Sequence, residues 1–218
     1  LHVHGLMNIQ LAVQKGTIYM IEVNPRASRT VPFVSKSIGV PLAKLAALTI
    51  VGKTLDELHF TKEVIPPFDT FKEAVFPFVK FPGVDITLTP EMHSTGEVMG
   101  IDFVEGAAYL KSQIAAGNAI PSSGGVFVSL RDEDKEPALP LVRELVEMGY
   151  TLYATRGTAT MLYDHKIPCS AAYRIKEGRP NPLDLMHEKK VRWIVNTSED
   201  GAQAMVDGIL MRSGAVAL

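Results

Sequence analysis

The chain has 218 residues, 46% of them hydrophobic and 21% charged, an ordinary globular balance with enough apolar side chains for one large domain or two small ones. Its formal charge of -2 leaves no basic excess, and no basic, aromatic-laced segment stands out, which argues against a nucleic-acid partner. A single cysteine excludes an internal disulfide and suits a reducing compartment, and no apolar run reaches the roughly 18 residues of a membrane span, so the expected location is the cytoplasm.

Apolar and polar residues alternate from Leu6 to Val13 and again from Ile18 to Asn24, on either side of a turn at Lys15-Gly16, which predicts a β-hairpin. A loop of odd length, Lys15 to Thr17, would pair Gln14 with Ile18 and set Gln10 opposite Glu22. Ile9, Leu11, Val13, Tyr19, Ile21 and Val23 would then share an apolar face, with Asn8, Gln10, Glu22 and Asn24 on the other. A loop of two residues would scramble both faces. The polar face gathers one carboxylate and amide oxygens with no His or Cys nearby, donors that suit a hard cation such as magnesium, which keeps waters or phosphate oxygens in its other positions. Asn24-Pro25 ends the strand, since proline lacks an amide hydrogen for the ladder. Arg26 and Arg29 follow at once, as a polyphosphate would require. A plain solvent-facing hairpin would carry the same polar trio, so these residues alone leave both readings open.

Val40 to Val51 predicts a helix, with Pro41 in its first turn and Gly52 as its stop. Ile65 to Val84 mixes prolines with aromatic residues and predicts short bent strands, including Glu73 to Phe76. Phe68, Phe71, Phe76, Phe78 and Phe81 are read as packing, not as a ligand box. A second helix runs from Val104 to Ala116 and ends at Gly117-Asn118. Gly, Pro and Ser then cluster from Asn118 to Gly125 and mark a linker.

Beyond the linker a strand (Val126–Leu130), a helix (Pro137–Met148), a strand (Thr151–Ala154), a short helix (Thr158–Asp164) and two more strands (Ser170–Arg174 and Val191–Val195) predict right-handed crossovers and a parallel sheet. Gly201 to Ala217 is helix-like with no closing strand, and the sequence begins at Leu1 without Met, so the chain is read as an excerpt from a longer polypeptide. In such a sheet ligands bind beyond the carboxyl ends of the strands, where helix amino ends offer unpaired amides. Lys135, Thr155 to Thr158, Arg174 and Asn196 to Ser198 all fall on that edge. Threonine hydroxyls and amides around Gly157 could cradle a phosphate, Lys135 and Arg174 could neutralise it, and Asn196 with Ser198 could bond a ribose or base. Singly, each has a plainer role: Thr158 and Ser198 as helix caps, Arg174 as a strand-end charge, and Lys135 within the solvated run Arg131 to Glu136.

The stretch Gly5 to Gln10, together with Ile21-Glu22-Val23-Asn24-Pro25-Arg26-Ala27-Ser28-Arg29 and on to Lys36, resembles the end of an ATP-grasp domain. More narrowly it is similar to the second ATP-grasp half of carbamoyl-phosphate synthase large subunits, a likeness continued by Lys62 to Pro67, Lys80 to Asp85 and Ser94 to Gly100. The resemblance implies that Gln10, Glu22 and Asn24 are metal ligands and that Arg26 and Arg29 face the phosphates as catalytic residues. It also suggests that Glu73 touches an amino-acid effector.

Thr155-Arg156-Gly157-Thr158-Ala159, Glu177-Gly178-Arg179-Pro180 and Asn196-Thr197-Ser198 resemble the methylglyoxal synthase-like regulatory domain that follows in the same subunits. That likeness implies a nucleoside monophosphate pocket lined by Lys135, Thr155, Thr158, Arg174, Asn196 and Ser198, with Arg174 where the family often has Lys and Ser198 where Thr is common. The Gly-Gly-Asp segment of free-standing methylglyoxal synthases has no counterpart here, which favours regulation over lyase chemistry.

The expected fold class is α/β: the C-terminal part of an ATP-grasp α+β domain over residues 1–118, then a truncated, parallel-sheet, Rossmann-like regulatory domain over residues 119–218. The resemblance implies an ATP-dependent carbon–nitrogen ligase, in which ATP with Mg2+ or Mn2+ phosphorylates carbamate to carbamoyl phosphate for pyrimidine and arginine biosynthesis. The implied partners are a glutaminase small subunit, a nucleotide monophosphate effector and further copies in an oligomer of the full-length protein. Without the upstream region that holds adenine, the excerpt alone is expected to be inactive. Two alternatives stay open: an isolated nucleotide-binding regulatory module, and another ATP-grasp ligase with a similar regulatory domain.

Overall fold

In the computed structural model, which describes residues 2–80, 91–118, 120–197 and 202–217, the first alternating stretch forms a hairpin of β1 (Asn8–Gln14) and β2 (Thr17–Asn24). Its loop is only Lys15 and Gly16, with φ of 49° and 78°, the left-handed backbone that a tight hairpin turn requires. This corrects the three-residue loop expected from the pattern. Gln14 pairs with Thr17, Val13 with Ile18 and Leu11 with Met20; Ile21 then drops out of the ladder as a bulge, and beyond it Gln10 faces Glu22 and Asn8 faces Asn24. The extra residue cancels the slip that the short loop introduces. Ile9, Leu11, Val13, Ile18, Met20 and Val23 share the apolar face, while Tyr19 stands across from Ala12 on the opposite side, a second correction.

Two helices follow, α1 (Thr30–Ile38) and α2 (Leu42–Ile50). Only α2 was expected. Pro32 concealed α1 from the pattern, yet it falls in the first turn, where an amide has no partner within the helix. In the same unit β3 (Asp69–Val75) pairs antiparallel with β4 (Gly96–Asp102), and α3 (Glu105–Ala115) covers the pair. The helix approaches so closely at Gly100 that a β-carbon there would overlap the Ala108 carbonyl and the Ser112 amide. Phe71 meets Tyr109 edge-on at 5.5 Å and Phe68 meets Phe103 at 5.9 Å, the packing role expected of these rings. Phe81 lies outside the described residues.

The described chain falls into two compact units, Leu1–Phe76 with Ser94–Asn118, and Pro77–His93 with Ala119–Leu218. The second runs β5 (Gly125–Ser129), α4 (Asp132–Glu147), β6 (Thr151–Thr155), α5 (Arg156–Asp164), β7 (Ser170–Ala172), α6 (Pro182–His187), β8 (Val191–Asn196) and α7 (Ala202–Ala217). All four strands are parallel, in the order β7-β6-β5-β8, as the strand–helix alternation predicts. Interior β5 is buried on both faces, which is why Val126-Phe127-Val128 is uninterrupted apolar sequence. Val126 and Val128 pack with Val142, Leu145, Leu152 and Leu162, whereas Phe127 packs on the other face with Ala172, Leu185, Met186 and Met211.

Two helix starts, one whole helix and the end of β7, at Ala172 and not Arg174, differ from expectation. α4 begins at Asp132 and not Pro137, so the charged run is its first turns, with Asp132, Glu133 and Asp134 at the positive end of the helix dipole and both Pro137 and Pro140 inside the helix. α5 begins at Arg156, which places Thr158 within the helix and not at its cap. α6, unexpected, is started by an Asn181–Asp184 capping box with Pro182 behind it. Among the described residues no single helix is long and apolar enough to cross a membrane.

Candidate cation and phosphate sites

The pairing of Gln10 with Glu22 and the two-residue spacing of Glu22 and Asn24 put these three side chains on one side of the hairpin. Asn24 Nδ2 donates to Glu22 Oε1 at 2.9 Å. That bond uses one carboxylate oxygen and the nitrogen of the amide, and the other oxygens of the pair are acceptors. Among the described residues no three His, Cys, Asp or Glu side chains gather as a metal cluster. A cation here would therefore rest on one carboxylate and amide oxygens, completed by phosphate and water, a donor set that fits magnesium. Arg26 and Arg29 are both exposed in the following segment; Arg26 Nη1 donates to the Ala27 carbonyl at 3.1 Å, and Arg29 immediately precedes α1. Glu73, on β3, accepts a hydrogen bond from Gln113 Nε2 at 2.7 Å.

In the second unit the four strands end on one edge, with Ser129 beside Asn196 and Thr155 beside Ala172. Thr155 passes directly into α5, whose first turn has no acidic residue and no side-chain cap bond. Lys135 reaches over from α4, its Nζ 3.4 Å from where a β-carbon of Gly157 would stand, and pairs with Asp132. An ammonium over the amino end of a helix opposes the helix dipole, and an anion placed between them is attracted by both. The pairing with Lys135 also holds the Asp132 carboxyl below its usual range.

The hydroxyls form a short chain. Thr155 Oγ1 donates to Thr158 Oγ1 at 3.2 Å and lies 3.5 Å from Ser129 Oγ. Thr158 is only 1% exposed, and its Oγ1 accepts the Leu130 amide at 3.1 Å, so this hydroxyl lies beneath the edge and already serves the fold. Arg174 is exposed two residues past β7, where its backbone amide donates to the Glu177 carboxylate at 3.3 Å. Asn196 is half-buried and, with Met186, Trp193, Met211 and Arg212, lines a cavity of about 720 Å³ between β8 and α7. Ser198 lies outside the described residues. The structure thus gathers Lys135, Thr155 and Thr158 at the first turn of α5, sets Asn196 farther along the same edge, and leaves Arg174 beyond the end of β7.

Sequence reasoning passed over Thr197. Its Oγ1 accepts the Arg131 amide at 3.0 Å, and its own amide donates to the Ser129 carbonyl at 2.9 Å. Bonds first from the Arg131 guanidinium and then from Thr197 hold the Asp134 carboxyl below the usual range. The only signal in the sequence was its place between Asn196 and Ser198, which says nothing of the neighbours it meets.

Residues 137–218 match the family model of the MGS-like domain, and residues 1–58 match that of the carbamoyl-phosphate synthase L chain, ATP binding domain. Carbamoyl phosphate synthase large chains of Pasteurella multocida and Halomonas eurihalina are 50% and 51% identical to it over 216 and 220 residues, which is 99% and 100% of this chain and 20% of each relative. The large chain of Haemophilus ducreyi is 50% identical over 218 residues, 100% of this chain and again 20% of the relative. The chain therefore spans about a fifth of the length of the curated relatives it matches. It belongs to the carbamoyl-phosphate synthase large-chain family.

Proposed function

We propose that the hairpin of this chain holds magnesium against the phosphates of ATP in the synthetase half of a cytoplasmic, glutamine-dependent carbamoyl-phosphate synthase, and that the second unit binds a nucleoside monophosphate that regulates that half. Residues 1–118 are then the end of the ATP-grasp domain and residues 119–218 the regulatory domain. The observation that carries this is the convergence of Gln10, Glu22 and Asn24 on one side of the hairpin, secured by the bulge at Ile21. Their oxygens bind the cation, which when bound neutralises charge as a phosphoryl group passes from ATP to carbamate. Arg26 and Arg29 orient the phosphates. A glutaminase small subunit supplies the nitrogen. On the second unit Lys135 and the first turn of α5 take the effector phosphate, and the cavity beside Asn196 falls within the size range of small-molecule sites.

The test uses the full-length protein. Glu22→Gln removes the only carboxylate of the cluster, and ATP-dependent carbamoyl phosphate formation is expected to vanish while titration calorimetry still detects uridine or inosine monophosphate binding. Unchanged synthesis would sink the cation site. Loss of nucleotide binding as well would show that the two sites are not separate.

A further inference from the structure

Two consecutive amides after β5 are held by hydroxyls from two different neighbours. Leu130 donates to Thr158 Oγ1 on α5 at 3.1 Å, and Arg131 donates to Thr197 Oγ1, just past β8, at 3.0 Å. Thr197 is tied again through its own amide to the Ser129 carbonyl at 2.9 Å. The Asp134 carboxylate in turn accepts from Arg131 Nε at 2.7 Å, and Thr197 helps to hold that carboxyl below its usual range. One threonine therefore joins the end of β8, the end of β5 and the first turn of α4. The Arg131 amide occupies an acceptor position of the Thr197 hydroxyl, so this side chain already serves the joint.

The chain neighbours of this joint are the candidate ligand groups. Lys135 follows Asp134 directly, and Asn196 precedes Thr197. We infer that Thr197 is a positioning residue of the effector pocket: it sets the α4 turn against the end of β8, so that Lys135 and Asn196 meet one bound nucleotide together. This role rests on the effector site proposed above.

Thr197→Val keeps the branched shape but leaves the Arg131 amide without that partner, whereas Thr197→Ser keeps the hydroxyl. In calorimetric titrations of the full-length protein with uridine and inosine monophosphates, Thr197→Val is expected to weaken binding about tenfold, the equivalent of one or two lost hydrogen bonds, and Thr197→Ser to stay within about twofold of the unsubstituted protein. A double-mutant cycle separates positioning from general stability. If Thr197 acts through Lys135, the Thr197→Val, Lys135→Met pair binds as Lys135→Met alone does; a residue that only supports the fold gives additive losses. Asp134→Asn, which spares the threonine, provides a second entry to the same joint and is expected to weaken binding to a lesser degree. Unchanged affinity in Thr197→Val, failure of serine to rescue, or additive losses would each overturn the positioning role while leaving the effector site standing. Absence of nucleotide binding by the unsubstituted protein would remove the effector site itself, and this role with it.

Discussion

Lys135 and Gly157 lie face to face across the carboxyl edge of the second sheet, the lysine Nζ standing 3.4 Å from the point where a glycine β-carbon would be. The small residue leaves the ammonium over the first turn of α5, where both it and the helix attract an anion. Lys135→Met together with Arg174→Ala is therefore expected to abolish the response to nucleoside monophosphates in the full-length protein while leaving unstimulated ATP turnover in place, as read by steady-state assay with and without nucleotide. Thr158→Ala is a poorer probe. Its hydroxyl holds the buried Leu130 amide, so removing it is expected to cost about 1–3 kcal/mol in a denaturant titration before any ligand is added.

Gly100 carries the contact between β4 and α3. A methyl group there meets backbone atoms of Ala108 and Ser112, residues that are themselves fully buried, and backbone cannot rotate aside as a side chain tip can. Gly100→Ala is expected to destabilise the first unit by about 3 kcal/mol or more, visible as a lowered denaturant midpoint. A wild-type midpoint would mean that helix and strand are farther apart than described here.

Asp134 offers a pH signature. Bonds from Arg131 and then Thr197 hold its carboxyl below the usual range in the folded state, so the fold favours the charged form. That contribution is complete at neutral pH, begins to fade as the pH drops below about 4, and is lost once the pH has fallen through the depressed folded value. Asp134→Asn is expected to lower stability at neutral pH and to flatten the acid limb of the stability curve, measured as thermal midpoints across that range. An acid limb of unchanged slope would exclude Asp134 from the linkage.

Cys169 is the single thiol, and burial pushes it above its usual range, an effect that Tyr163 only partly offsets. Thiolate is the reactive form, so alkylation at about neutral pH is expected to be slower in the folded protein than in the same protein unfolded in denaturant. Equal rates under the two conditions would show that the thiol is not shielded.

Much of this structure is written in local pattern. Period-two alternation is sensed by each residue through its immediate neighbours, so it placed β1 and β2 in the sequence, and the apolar run at Val126-Phe127-Val128 marked a strand. The family was legible for a related reason, since Glu22-Val23-Asn24-Pro25-Arg26 and Thr155-Arg156-Gly157-Thr158 are contiguous motifs. What the sequence could not settle depends on partners far away in the chain. Ile21 leaves the ladder because a tight turn and a polar pairing must both be satisfied, and the alternation by itself admitted only one loop length. The start of α4 was hidden because the charged run Arg131 to Glu136 read as solvated and Pro137 as a first helical residue, whereas the acids favour the positive end of the helix there. Thr158 and Thr197 take amides 28 and 66 residues away, contacts created only when the sheet brings three strand ends to one edge. Hydrogen-bond partners at such separations are chosen by packing, and no spacing rule along the chain encodes them.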